Sequence, residues 1–386
     1  MKNEVKSKIL NCGFIGGSTN SAVGYAHFVS SRMDNFWSLV AGCFSTNAER
    51  NATTGQTYGV PADRVYDNWQ EMLIKEKGKL DAIVVLVPTP LHKEIVKACL
   101  NSGFSVICEK TIAMNSSESL EILEVKRKNN SFLAVTYNYT GYPMVRELQK
   151  KIKNGELGKI IHFQVEMPQE GFIRVDLEGK LPKPQAWRLT DKSIPTIHLD
   201  LAVHLHQLIY YLTDQNPIEV IADHDSYGWF SNVVDNVNCL CRYSEGIMGN
   251  VWFSKAALGH RNGLKLRIFG TKGSAEWFQA SPEELVLSYF DGRKEIIDRA
   301  ASVEIANLGR YNRFKAGHPA GFIEAFANLY CDLADSLNEY RQTGHWKSEN
   351  MYGIEISLKG LQFLEAMNKS VTSKHWEKVN KDIYSK

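Results

Sequence analysis

The stretch Ile9-Leu10-Asn11-Cys12-Gly13-Phe14-Ile15, followed at once by Gly16-Gly17-Ser18-Thr19-Asn20-Ser21 and then by a helical pattern over residues 22–33, decides the fold. An apolar strand that runs through a glycine turn into a helix presents backbone N–H groups and the helix's positive end to a pyrophosphate. Read from Gly16, the G-x-G-x-x-G spacing puts Ser18 and Ser21 where the second and third glycines stand. Serine is small enough for that turn, so Gly16, Gly17, Ser18, Asn20 and Ser21 are expected to hold a dinucleotide. The plainer alternative is an ordinary strand-to-helix turn with Gly16 at positive φ.

Outward from this turn, apolar runs of strand length at 9–15, 37–44, 82–87, 105–108 and 132–136 alternate with helical patterns at 48–57, 68–77, 91–102 and 116–128. That alternation predicts an α/β fold whose N-terminal domain, 1–137, is a Rossmann doubly wound parallel sheet binding NAD(P). From 138 to 386 the texture changes. A helix pattern is followed by a strand at 159–167, a loop rich in Gly, Pro and charge at 168–195, a helix at 199–212, and β-rich runs from 218 to 287 separated by turn signals. This predicts an open, mostly antiparallel sheet in the second part of the chain. Late helices at 319–337 and 352–367 are expected to pack back onto the body. An open sheet leaves a face or edge to cover, and Trp229, Trp252 and Trp277 add apolar area, which points to a homodimer or homotetramer formed through that sheet. Taken one at a time, each tryptophan also fits an inward-facing core position.

The bulk properties narrow the function. A chain of 386 residues with 44% hydrophobic content supports two cores, and a formal net charge of +2, with both signs interleaved, gives no case for nucleic acid or a membrane surface. Seven cysteines without paired metal spacing read as reduced core residues. The start, 1–8, is polar with no apolar signal core after it, and no apolar run reaches the length of a membrane span, so a cytoplasmic protein is expected.

Three clusters have the residue types for chemistry. Val87-Pro88-Thr89-Pro90-Leu91-His92 follows a central strand, at the carboxyl edge where open α/β sheets bind ligands, and its prolines fix a loop beside the nicotinamide. The alternative there is a rigid connection with His92 at the surface. Cys108-Glu109-Lys110 ends the next strand with a carboxylate and a lysine suited to bonding or deprotonating a substrate hydroxyl, although a Glu-Lys pair at a strand end also fits a solvated loop. Asp200 and His204 sit four apart on one helix face, continued by Gln207 and Tyr211 beside an apolar stripe; a histidine there shuttles a proton and the aspartate orients it or holds a sugar hydroxyl. A core histidine with a helix-start carboxylate is the competing account. Metal binding by His198, Asp200, His204 and His206 is set aside, because His198 precedes the helix, His204 and His206, two apart, point to different faces, and no compact three-ligand spacing emerges. The second strand ends in Phe44-Ser45-Thr46-Asn47 without the acid that binds an adenosine ribose diol, while Ser45, Thr46 and Arg50 suit a 2′-phosphate. The choice between NAD and NADP tips towards NADP.

In this order and spacing, the glycine turn, Thr89-Pro90-x-His92, Glu109-Lys110 and Asp200-x-x-x-His204 resemble the glucose-fructose oxidoreductase/inositol dehydrogenase/MocA family, Gfo/Idh/MocA, over nearly the whole chain. Within it, the chain is similar to a levoglucosan-dehydrogenase-like branch through Phe14-Ile15-Gly16-Gly17 with Gly24 and His27, Leu39-Val40-Ala41-Gly42, Tyr137-Asn138-Tyr139, Ala186-Trp187-Arg188 and Gly317-His318-Pro319-x-Gly321-Phe322. The resemblance implies an N-terminal Rossmann domain and, over 138–386, a C-terminal α/β domain for substrate binding and oligomerisation with a large open, mostly antiparallel sheet, in an enzyme moving hydride between nicotinamide and a secondary hydroxyl or ketone of a sugar, cyclitol or sugar nucleotide, commonly as a dimer or tetramer. It implies Lys110 as the residue polarising the reacting hydroxyl, His204 as acid/base and Asp200 as the substrate-positioning group. Asn138, Trp187 and Arg188 would border the cofactor, and Tyr139, Trp187 and His318 the substrate. Thr111 stands where the family has proline, and Pro195-Thr196-Ile197-His198-Leu199 stands where relatives have glycines before the aspartate. Relatives of two other kinds give the alternatives: a redox-neutral glycosidase with tightly held cofactor, and a non-catalytic regulator that senses dinucleotide or sugar.

Overall fold

The protein is described by a computed structural model over residues 8–379, so the polar start lies, apart from Lys8, outside the described residues. The chain forms two units, one of residues up to Gly141 together with Phe322–Glu355, the other of Tyr142–Gly321 together with residues from 356 on.

In the first unit, β1 (Leu10–Gly16), β2 (Trp37–Cys43), β3 (Ala82–Leu86), β4 (Val106–Glu109) and β5 (Leu133–Thr136) make a five-stranded parallel sheet in the order β2-β1-β3-β4-β5. The crossovers are α1 (Ala22–Met33), α2 (Ala48–Tyr58), α3 (Trp69–Lys75), α4 (His92–Asn101) and α5 (Ser116–Lys128). Because β3 returns to pair with β1 on the side away from β2, the direction of winding reverses at β1. That reversal makes the sheet doubly wound, and ligands bind at the carboxyl ends of the strands beside it. β3, Ala-Ile-Val-Val-Leu, is buried throughout, as a central strand covered on both faces requires. The helices start where short polar side chains accept a backbone N–H: Ser21, Asn47, Asn68 and Asn115 cap α1, α2, α3 and α5, worth about 1 kcal/mol each.

The first late helix, α8 (Phe322–Thr343), starts and ends later than the expected 319–337 and belongs to this first unit. It lays Phe326, Leu329, Tyr330, Leu333 and Leu337 into one cluster with Phe14, Trp37 and Leu39. The Trp37 Nε1–H donates to the Tyr330 carbonyl at 2.9 Å.

In the second unit, α6 (Pro143–Lys153) opens on a proline and precedes β6 (Ile160–Pro168). Then come α7 (Val203–Thr213), β7 (Pro217–Asp225), β8 (Asn236–Tyr243), β9 (Met248–Ser254), β10 (Lys265–Gly270), β11 (Gly273–Phe278), β12 (Leu285–Tyr289), β13 (Lys294–Ile297), α9 (Ile354–Ser373) and β14 (Glu377–Lys378). The sheet has nine strands in the order β13-β12-β11-β10-β6-β9-β8-β7-β14, antiparallel except where β6 and β9 run parallel. One face buries Phe163, Val165, Cys239, Cys241, Val251 and Phe253; the other presents Gln164, Glu166, Asn238, Asn250, Lys265 and Arg267 around Trp252. The three tryptophans part ways. Trp277 is fully buried against Tyr142, Trp252 lies on the polar face with its Nε1–H donating to Asn236, and Trp229 is 53% exposed. All seven cysteines are buried thiols, and no helix among the described residues is long and apolar enough to cross a membrane.

One expectation is corrected. The helix foreseen at 199–212 is regular only from Val203; His198–Ala202 form a π-helical turn. With bonds to the fifth residue instead of the fourth, that turn is wider, and Asp200 and His204 do not stand in the simple α-helical stripe drawn from their spacing.

Candidate active site

Parallel pairing puts Gly16 opposite Leu86, Val85 opposite Cys108 and Glu109 opposite Thr136, so β1, β3, β4 and β5 end along one edge of the first sheet. The glycine turn, the 87–89 loop, Glu109-Lys110 and Asn138 all follow these strand ends.

At the turn, Gly16 has φ +84 and Gly17 φ +73, backbone that side chains rarely adopt. A Cβ on Gly16 would come within 2.8 Å of Leu86 and Val87 backbone atoms, and one on Gly24 within 2.3 Å of the Gly17 carbonyl oxygen. The close approach of helix to turn is therefore made by Gly24, three residues past the expected fingerprint position. Ser21 holds α1 instead, its Oγ accepting from Gly24 N–H at 3.1 Å. Ser18 is half-buried and Asn20 exposed. Tyr58 donates its hydroxyl to the Gly17 carbonyl at 3.2 Å, and the Thr19 N–H donates to Thr54 Oγ1 at 3.3 Å; sequence reasoning missed both supports because nothing in local spacing marks them.

At the end of β2, Asn51 Oδ1 accepts from Phe44 and Ser45 N–H groups, and the Ser45 hydroxyl accepts from Asn47 N–H at 3.2 Å. Thr46 and Arg50 are exposed. Along the sheet edge, Pro88 is exposed, Thr89 buried and Val87 half-buried. His92 is 1% exposed, its ring nitrogens lying 2.7 Å from the Thr111 carbonyl oxygen and 2.8 Å from that of Val87. Both nitrogens are thus turned to backbone, which rules out a surface histidine and makes its part in a cofactor site a supporting one.

Glu109 likewise faces inward: its Oε1 accepts from His27 Nε2 at 3.0 Å and from the Thr136 hydroxyl, while His27 Nδ1 lies 2.7 Å from the Tyr330 hydroxyl. Burial pushes the Glu109 pKa up, but the His27 hydrogen bond and charge, with Lys110 and Thr136, outweigh it and hold the carboxyl below its ordinary range. Its anchoring leaves the half-buried Lys110 as the next residue out along the edge. The Lys110–Thr111 peptide is cis. Asn138 is buried, and its Nδ2 has no hydrogen-bond acceptor in the protein. Tyr139 is buried with its ring edge on Phe322.

The second unit gathers Arg188, Asp200 and Lys255. Both cations bond Asp200 Oδ2, and the Arg188 guanidinium lies 4.7 Å over the Trp187 ring. Lys255, 8% exposed at the foot of β9, escaped the sequence reading because its partner is 55 residues away. His204 is buried at 7% exposure in the first turn of α7. The other histidines go elsewhere: His198 packs on His224 and Phe253, where burial and then His224 push its pKa down to about 3, and His206 packs on Phe363, pushed down by burial to about 4. His318 is exposed, its ring edge on Phe314.

These features agree with what the chain is similar to. Residues 10–137 match the model of an oxidoreductase family with an NAD-binding Rossmann fold, and residues 145–276 match the GFO/IDH/MocA C-terminal domain. The oxidoreductase YfiI of Bacillus subtilis is 31% identical over 370 residues, 93% of this chain and 94% of that protein. Levoglucosan dehydrogenase of Pseudarthrobacter phenanthrenivorans is 24% identical over 311 residues, 72% of this chain and 76% of its own. The crystal structure of an inositol dehydrogenase homologue from Azotobacter vinelandii, complexed with NAD+, superposes with a TM-score of 0.86 at 25% identity, covering 96% of this chain and 98% of that one.

Proposed function

The chain belongs to the Gfo/Idh/MocA family of NAD-binding oxidoreductases, and from that premise we propose that it moves hydride between a nicotinamide dinucleotide and a secondary hydroxyl or ketone of a sugar, cyclitol or sugar nucleotide. The observation that carries this reading is the position of Lys110, one residue past β4 on the same strand-end edge as the Gly16–Ser21 turn.

The residues fit a dinucleotide. The turn packs so closely that a Cβ at Gly16 or Gly24 would strike backbone, it leads into the start of α1, and Asn138 holds an unsatisfied donor on the same edge. When bound, the dinucleotide supplies the hydride acceptor. Lys110 hydrogen-bonds the reacting oxygen and favours its alkoxide character; His204 takes the hydroxyl proton and returns it in the reverse direction. Asp200, held by Arg188 and Lys255, fixes a second substrate hydroxyl, and Trp187, Tyr139 and His318 complete the sugar contacts. Val87, Pro88, Thr89 and Arg188 border the nicotinamide. For the adenosine end we propose NADP over NAD, since no carboxylate follows β2 and Thr46 and Arg50 are exposed there. The polar face around Trp252 is the surface we assign to self-association, and seven buried thiols suit a reducing cytoplasm.

The experiment identifies any copurified nucleotide, then follows reduced-cofactor absorbance over free sugars, cyclitols and nucleotide-linked sugars with NAD and NADP in parallel. Lys110→Met should lower turnover by about 100-fold or more while leaving dinucleotide affinity nearly intact. Unaltered turnover in that variant removes the lysine from the mechanism. A chain that binds neither dinucleotide ends the whole reading.

A further inference from the structure

His92 is the first residue of α4, and its two ring nitrogens face two carbonyl oxygens, Thr111 at 2.7 Å from Nδ1 and Val87 at 2.8 Å from Nε2. A carbonyl oxygen only accepts, so each contact needs an N–H on the nitrogen that faces it. A neutral imidazole has one N–H. Its other nitrogen would set a lone pair against a carbonyl lone pair at hydrogen-bond distance, inside a site that is 1% exposed and admits little water. Only the doubly protonated ring satisfies both contacts.

The ring also spans a place where the sheet stops. Pairing between β3 and β4 ends at Val85 opposite Cys108, and after Leu86 and Glu109, which still pair with β1 and β5, the two segments leave the sheet as 87–89 and 110–111. We propose that His92 is a positioning residue, a proton-dependent clasp that as an imidazolium ties the Val87 carbonyl to the Lys110–Thr111 segment, and that releases one of the two when it loses its proton. The consequence for catalysis rests on the reading above, in which 87–89 and Lys110 border the nicotinamide; the clasp itself concerns three residues of one unit.

The surroundings set the direction of the response. Burial opposes a charge on His92 most strongly, the carbonyls of Val87 and Thr111 and the Glu109 carboxylate favour it, and Lys110 opposes it; on balance the ring titrates below its ordinary value of 6.5. The neighbouring charges on α4 and α5, Lys93 with Glu118 and Glu121, are paired with one another. The clasp is therefore closed in acid and opens as pH rises through the His92 pKa.

Ring-nitrogen NMR on the histidine-labelled full chain, with His92 identified by the signals lost in His92→Gln, tests this in a titration from the acid limit of the folded state up to about pH 8. The expected result is a ring with two protonated nitrogens at the acid end that passes to one protonated and one bare nitrogen as pH rises. NADH or NADPH affinity, read by fluorescence, should weaken by about tenfold across the same interval, the effect of losing one charge-assisted hydrogen bond. His92→Asn, with donors at one end of its amide only, should bind weakly and lose the pH dependence. A ring that keeps one bare nitrogen throughout overturns the clasp, as does dinucleotide affinity that ignores the ring's titration. Should the variants not fold, through-bond assignment of the wild-type ring signals identifies His92 and its titration still decides. Absence of dinucleotide binding at every pH would instead refute the functional reading, with the ring titration still deciding the clasp.

Discussion

Replacing Gly24 by alanine tests the phosphate turn at its tightest point. The added Cβ would lie 2.3 Å from the Gly17 carbonyl oxygen and 2.5 Å from Gly17 C and Cα, where ordinary contact begins at 3.4 Å. All three obstacles are backbone, so no side chain can swing aside; α1 and the turn must separate by roughly 1 Å, an overpacking that costs about 1–3 kcal/mol. Alanine returns about 1 kcal/mol through its better helix propensity. Global stability should therefore fall by only about 0–2 kcal/mol. Binding should suffer more, because the separation pulls at least one backbone donor off a diphosphate oxygen, and a hydrogen bond to a charged group is worth about 1.5–3 kcal/mol, or about 10–100-fold in affinity. The assay pairs urea unfolding with NADH and NADPH fluorescence titration. Gly59→Ala is the control: Gly59 closes α2 at φ +73 with nothing within 4 Å of its Cβ position, so the substitution costs about 1–2 kcal/mol of backbone strain with no clash. It should lower stability and leave both affinities alone. Wild-type dinucleotide affinity in Gly24→Ala would show that the diphosphate does not lie on this turn.

Two further outcomes follow from the second unit. Asp200→Asn removes the charge that balances Lys255, which is 8% exposed, so unfolding midpoints should report a loss of about 3 kcal/mol, largely recovered on adding Lys255→Met; an unchanged midpoint in the single variant would contradict the ion-pair account. His198 carries no charge in the folded protein until about pH 3, whereas unfolded it takes a proton near 6.5, so it costs nothing above that value and lowers stability progressively as pH falls from 6.5 towards 3. His198→Phe should flatten the acid side of the stability profile over that interval, and an identical slope in the variant would refute the assignment.

Much of this protein follows from local pattern. The alternating runs from Ile9 to Thr136 specify a parallel sheet because strands covered on both faces must be apolar throughout, and the edge carrying Gly16, Val87 and Lys110 follows from that topology. The antiparallel sheet was likewise readable, from β-rich runs such as 238–243 and the turn signals between them. Tertiary structure alone decided how the site residues are held. That His27 and Thr136 pin Glu109, and that Lys255 shares Asp200 with Arg188, depend on chain segments brought together from 27, 55 and 82 positions apart. The π-helical turn at His198–Ala202 escaped notice because apolar spacing near 3.6 residues reads as a regular helix whichever carbonyl each N–H chooses. Composition and periodicity register which faces are buried; the partner that satisfies a buried charge is chosen by distance in space, and sequence separation carries no record of it.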